Sequence, residues 1–307
     1  MKTMISNNGS LFTGSCAAIV TPMNSDLSIN YNVLGEIIEA QIAGGTSALV
    51  VCGTTGEAST LTDDEHVECI RYTVEKTAGR IPVIAGTGSN DYSYMLELST
   101  AAEKAGADAL LLMTPYYNKT SQRGLIASFT GIADAVSIPI MLYNIPGRTC
   151  VNIEISTFKE LAKHPNIVAV KEAGGDINYL SQIIEACGDS LDVYVGDDVM
   201  TVPSMALGAK GVVSVFANIA PEIMAKICRL CIDNDFAAAG KLQIKYMKVC
   251  MDLLKLDVNP VPIKAAMNFA GKAVGGCRMP LFEMDETSAA KLKKSLKESG
   301  IIEQSQS

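Results

Sequence analysis

The sequence predicts an α/β fold, a (β/α)8 TIM barrel with a C-terminal helical appendage, on three observations. Eight apolar runs rich in β-branched residues recur at 17–23, 48–53, 81–87, 109–115, 138–146, 167–173, 191–196 and 211–217. Their starts lie about 20 to 33 residues apart, with segments of helical period between them. The length, 307 residues, holds one large barrel. A doubly wound open sheet is the alternative. It needs fewer strands, and no GxGxxG stands at the first strand-to-helix turn.

The helices follow from their own spacing. Leu34, Ile37, Ile38 and Ile42 share one face over 31–43. Thr62-Asp63-Asp64-Glu65 is a capping-box pattern, and Val67, Ile70 and Val74 continue the helix it opens. A third helix spans 91–105. The helix-to-strand joints AGGTSALV, KAGADALL and LGAKGVVS form a faint repeat. Gly45, Gly106 and Gly208 occupy equivalent places in it, where a left-handed helix stop is expected. Past the eighth run, Pro221 opens a helix over 221–233. Further helices over 236–256, 260–273 and 286–297 have no strands between them. The expected division is a barrel domain, 1–234, and a helical domain, 235–307, with a frayed tail from residue 300.

Composition narrows the function. A net charge of −8 and no Arg/Lys-rich run argue against nucleic acid or an anionic membrane as partner. Residues 1–15 lack an apolar h-region, so they do not read as a signal peptide, and no run approaches a spanning helix. Nine cysteines scattered through apolar segments suit reduced thiols in a cytoplasmic protein. Cys228 and Cys231 form a CxxC in a helix with no second pair and no nearby histidine, which reads as packing rather than a zinc or redox site. With only His66 and His164, a histidine triad or multi-histidine metal site is not expected.

In this barrel class, chemistry belongs at the C-terminal ends of the strands. Those ends carry Thr21-Pro22, GTTGE at 53–57, GTG at 86–88, TPYYN at 114–118, YNIPGRT at 143–149, KEA at 171–173, GDD at 196–198 and SVFAN at 214–218. The inventory is hydroxyls, amides and one amine, Lys171, which closes the apolar run IVAV. Desolvation disfavours an ammonium, and a neutral amine with no evident metal ligands nearby is a Schiff-base former. Tyr143 can shuttle the protons such a cycle needs, with Thr54 and Tyr117 as a relay. The glycines of GTTGE let backbone N–H groups approach a carboxylate, and Arg148 can hold a second one bidentately.

Each of these residues has a plainer reading. Lys171 could be the first solvated residue after its strand, Tyr116 and Tyr117 interface aromatics, and Thr54 and Thr55 turn caps. Arg148 could be a surface residue in a Pro-Gly turn. Asp197-Asp198 could suggest a metal, but adjacent carboxylates usually diverge and no third ligand is evident. Glu57 reads as a structural hydrogen-bonder rather than an acid catalyst.

GTTGE, TPYYN, YNIPGRT and VKEA together resemble the pyruvate-dependent class I lyases of the dihydrodipicolinate synthase/N-acetylneuraminate lyase family, over roughly residues 11–301. Arg148 in PGRT, PYYN, GDD and NPVPIK at 259–264 resemble the synthase branch, which condenses pyruvate with L-aspartate 4-semialdehyde to 4-hydroxy-tetrahydrodipicolinate. The resemblance implies that Lys171 forms the imine and Tyr143 shuttles protons. It implies that Thr54 links Tyr143 to Tyr117, the latter supplied by a neighbouring subunit. Thr55, Gly196 and Val213 would bind pyruvate, and Arg148 the semialdehyde. It further implies no metal or organic cofactor and a homotetramer, a dimer of tight dimers. A retro-aldol lyase of a 2-keto-3-deoxy sugar acid or N-acetylneuraminate is the alternative within the fold. A non-catalytic binding or regulatory barrel is the remote one. At the family's allosteric site His66, Asn90 and Tyr116 are kept, but Asp63 stands for a histidine and Tyr94 for a glutamate. Feedback inhibition by lysine is therefore expected to be weak or absent, which half-inhibition at sub-millimolar lysine would refute.

Overall fold

A computed structural model describes residues 9–303. The reading of the N-terminal stretch before residue 9, and of the tail after residue 303, lies outside the described residues. Eight parallel strands close in sequence order: β1 (Gly14–Ala18), β2 (Ala48–Val51), β3 (Val83–Gly86), β4 (Ala109–Met113), β5 (Ile140–Asn144), β6 (Ile167–Glu172), β7 (Asp192–Val195) and β8 (Gly211–Ser214). Closure pairs Gly14 with Gly211 and Cys16 with Val213. The helices outside are α1 (Tyr31–Ala43), α2 (Asp63–Thr77), α3 (Tyr92–Lys104), α4 (Gln122–Ala135), the single turn α5 (Pro146–Thr149), α6 (Ile155–Leu161), α7 (Ile177–Cys187), α8 (Thr201–Ala206) and α9 (Pro221–Ile232). Then come α10 (Phe236–Lys255), α11 (Val261–Phe269) and α12 (Glu286–Glu298).

Local chemistry sets the boundaries where the sequence places them. Thr62 accepts from the Glu65 N–H while Glu65 reaches back to Thr62, so the capping box forms. Gly45, Gly106 and Gly208 take φ of +82°, +92° and +110°, the left-handed stops before β2, β4 and β8. Most strands are shorter than their apolar runs, and two boundaries differ most. β1 lies at 14–18 rather than 17–23, because pairing with β8 begins at Gly14, where the two glycine backbones pass too closely for any side chain. Ile19, Val20 and Met23 stay buried but run past the barrel rim. The 260–273 helix ends at Phe269, and Gly271 leaves it with φ +78°.

Two apolar layers result. Leu49, Val83, Leu110, Leu142, Val170 and Val212 face outward onto the helices. Leu253, Ile263, Met267, Leu292 and Leu296 of the last three helices belong to that same cluster. The barrel interior is filled separately by Cys16, Ala18, Val50, Ile84, Leu111, Met141, Tyr143, Ala169, Tyr194 and Val213. Phe12 stacks on Tyr194 at 4.2 Å and plugs the end where β1 begins. Among the described residues no helix is long and apolar enough to cross a membrane.

Candidate active site

Lys171 enters the barrel through an irregularity in β6. Ile140 pairs with Ile167, but its neighbour Met141 pairs with Ala169, so Val168 is an extra residue. Ile167 faces the outer layer, whereas Ala169 faces the interior. Without the extra residue, alternation would put Lys171 on the side of Ile167. With it, Lys171 lies level with Tyr143 of β5, both pointing inward. Each is buried, and the Lys171 Nζ stands 4.3 Å from the centre of the Tyr143 ring. A cation or amine over a ring face is a favourable contact.

Gly196, just past β7, leaves the space Lys171 fills. A Cβ there would come within 2.9 Å of Lys171 Cε and 2.6 Å of Ala173 Cβ. Val213 is fully buried in the same interior layer. Cys16 lies in that layer too, and burial pushes its thiol far up, so it is an inert filler there. The next residue of β6 points outward. Glu172 is held by Asn144 Nδ2 at 2.7 Å and the Gly174 N–H at 2.6 Å. Burial still raises its carboxyl above the usual range. Asn144 also accepts from Ile153 N–H at 3.0 Å, so β5, β6 and the segment that follows the Arg148 turn are one hydrogen-bonded unit.

Above the barrel, Thr54, Arg148, Tyr116 and Asn259 line a cavity of about 310 Å³. Thr55 is buried, and its Oγ1 accepts from Asn259 Nδ2 at 3.0 Å. Arg148 donates through Nη2 to the Asn259 carbonyl at 3.1 Å. Tyr117 is not gathered in. It is 92% exposed on a left-handed backbone, φ +65°.

His66 and Tyr94 line the same cavity. His66 Nε2 lies 2.8 Å from the Gly86 carbonyl, its Nδ1 has no partner among the described residues, and burial lowers its pKa. Tyr94 donates to Asp63 at 2.8 Å, so the two departures from the allosteric pattern satisfy one another. Burial, and then that carboxylate, push the Tyr94 hydroxyl up to about 12. Asn90 accepts from Asn118 Nδ2 at 2.8 Å.

The acids near the strand ends are held by neighbouring groups. Asp197 caps the turn after β7, while Asp198 turns inward to accept from Val215 and Phe216 N–H groups. Burial raises the Asp198 carboxyl to about 6. Glu57 is paired with Lys264 at 2.7 Å, both buried. Cys228 and Cys231 are buried in α9. Among the described residues no three His, Cys, Asp or Glu side chains converge as a metal site.

A sequence profile of the Dihydrodipicolinate synthetase family matches residues 11–299. The chain belongs to that family. The 4-hydroxy-tetrahydrodipicolinate synthase of Acetivibrio thermocellus is 49% identical over 292 residues, 95% of this chain and 99% of that one. The chloride-inhibited dihydrodipicolinate synthase of Acinetobacter baumannii, solved with pyruvate, is 42% identical with a TM-score of 0.92, covering 94% of this chain and 99% of that one. The enzyme of Cyanidioschyzon merolae, solved with lysine bound, is 35% identical with a TM-score of 0.92, covering 95% of this chain and 99% of that one.

Within this dihydrodipicolinate synthetase fold, two residues at the site had no role assigned from sequence. Asn259 sits between α10 and α11 and joins Thr55 to Arg148. Lys264 reaches from α11 to Glu57 and to the Thr21 carbonyl at 3.0 Å. The sequence did carry a signal for Lys264: a lone charge inside the apolar run VPIKAAM. Asn259 was marked only as part of NPVPIK in the family resemblance, since an asparagine before a proline otherwise reads as a turn.

Proposed function

We infer that this chain is a lyase that condenses pyruvate with L-aspartate 4-semialdehyde, through a Schiff base on Lys171, to give 4-hydroxy-tetrahydrodipicolinate. The observation that carries the inference is Lys171 beside Tyr143 inside an otherwise apolar barrel. The Lys171 amine attacks the pyruvate ketone carbon, and loss of water leaves the imine. Removal of a methyl proton gives the enamine, whose carbon attacks the aldehyde. The semialdehyde's own amine then attacks the imine carbon, closes the ring and releases Lys171, so one water is lost overall.

Roles follow position. Tyr143 handles the protons, being the hydroxyl group level with the amine. Gly196 and Val213 line the pyruvate pocket, the one beside Lys171 and the other in the interior layer. Thr55 takes the pyruvate carboxylate, and Arg148, which lines the cavity, takes that of the semialdehyde. Thr54 and a neighbouring subunit's Tyr117 complete the proton relay. The exposure of Tyr117 on a strained backbone supports that placement. A homotetramer built from tight dimers accommodates it, with 235–307 as the part that serves assembly. A cytoplasmic setting suits the nine free thiols.

Borohydride reduction in the presence of pyruvate, followed by peptide mass mapping, tests the chemistry. The expected adduct is on Lys171, and a label elsewhere, or none, overturns the mechanism. A parallel assay of the semialdehyde against 2-keto-3-deoxy sugar acids tests the second substrate.

A further inference from the structure

We propose that Asn259 is a positioning residue that fixes the hydrogen-bond polarity of Thr55 and holds it in register with Arg148. The proposal rests on the Schiff-base reading above. Asn259 is 204 residues from Thr55 and 111 from Arg148, yet touches both. Its side-chain amide donates to Thr55 Oγ1 at 3.0 Å, and its backbone carbonyl accepts from Arg148 Nη2 at 3.1 Å.

A hydroxyl has one proton. Because Thr55 Oγ1 already accepts the Asn259 N–H, its own O–H points elsewhere. That proton is left for a ligand oxygen, and a carboxylate can only accept. Asn259 thus makes Thr55 a donor toward the pyruvate carboxylate. The carbonyl of the same residue anchors the group for the second carboxylate, so one residue sets the relative placement of two anion-binding groups. Asn259 Oδ1 is buried without a partner. An unpaired buried oxygen is a cost that an apolar residue of similar size would avoid, and such costs persist where a group has a task.

Steady-state kinetics of Asn259→Ala, Asn259→Asp and Thr55→Val tests this. In Asn259→Ala, KM for pyruvate rises roughly 3- to 10-fold, the scale of one hydrogen bond. KM for the semialdehyde moves less than about twofold, because the backbone carbonyl on Arg148 remains. In the Thr55→Val background, Asn259→Ala adds nothing, since the oxygen it served is gone. Asn259→Asp would take the Thr55 proton and set a negative charge beside the pyruvate carboxylate, raising its KM by more than about tenfold at neutral pH. Its KM falls toward that of the parent as pH drops and the new acid becomes a donor, a profile a merely structural role would not create. Equal effects on both KM values, or an Asn259→Ala effect that persists in Thr55→Val, overturn the proposal. Borohydride trapping distinguishes the two levels. Parent enzyme that is not trapped overturns the Schiff-base reading and this proposal together, whereas trapped parent with an unchanged Asn259→Ala KM overturns the proposal alone.

Discussion

Lys171 is buried, and the room it occupies comes from a missing side chain. Gly196 lies where a single Cβ would press on Lys171 Cε and on Ala173. The clash with Ala173 allows little retreat, because Ala173 is tied to Asn144 by its N–H at 2.9 Å. A Gly196→Ala variant therefore displaces the lysine as well as straining the backbone at Ala173. Misplacing a reacting group by about 1 Å costs on the order of 100-fold, so kcat/KM is expected to fall on that scale while the thermal midpoint moves only a few degrees. Steady-state rates and a melting curve measure both, and a variant with parental kcat/KM would show that Gly196 does not shape the lysine's position. At this scale the sequence was most legible where a residue violates its surroundings. A charge closing an apolar strand stands out, as Lys171 does. A small residue among many glycines does not, and Gly196 was marked only through family resemblance.

The loop after β2 and the helix α11 are held together by the Glu57–Lys264 pair. Glu57 takes a left-handed backbone, φ +57°, at the end of GTTGE. One of its oxygens accepts from Lys264, and the other accepts from the Arg278 N–H at 2.9 Å. Lys264 also donates to the Thr21 and Gly276 carbonyls. Thr21 in turn donates to the Gly56 carbonyl at 2.7 Å. The loop that carries Thr54 and Thr55 is thus braced by elements far away in the chain. Lys264→Met leaves a buried carboxylate without its partner, a change expected to cost about 3–5 kcal/mol. Adding Glu57→Gln to that variant removes the stranded charge and recovers much of the loss. Urea unfolding of the two variants measures it, and a Lys264→Met chain as stable as the parent would refute the brace. Sequence reading placed Glu57 as a structural hydrogen-bonder, but it could not name the partner, because contact across 207 residues leaves no periodic trace.

At the scale of the whole molecule, the last three helices complete the barrel's outer core and bring Asn259 and Lys264 to the rim. Tyr117 points the other way, into solvent. If a neighbouring subunit supplies it, two crippled chains can mend each other. Tyr117→Phe and Lys171→Met are each expected to be nearly inactive alone. A mixed dimer has one site with its own Lys171 and the partner's intact Tyr117. Random two-fold reassortment makes half the dimers mixed, so recovery should approach roughly a quarter of parental activity. Activity after denaturation and co-refolding measures this, and no recovery would place Tyr117 outside the neighbour's site.

Much of this protein was determined locally. Strand runs, the capping box at Thr62 and the left-handed glycines at 45, 106 and 208 each depend on a few consecutive residues, so they could be read directly. The presence of a lysine at a strand end belongs with them. Its direction does not. Strict alternation along β6 from Ile167 would have set Lys171 outward, and the extra residue at Val168 reverses it. A bulge is a relation between two strands, fixed by how β6 pairs with β5, and the residues of β6 alone do not contain it. The same holds for Asn259 on Thr55 and Lys264 on Glu57, which exist only because closing the barrel and packing α11 across its rim bring distant residues within hydrogen-bonding reach.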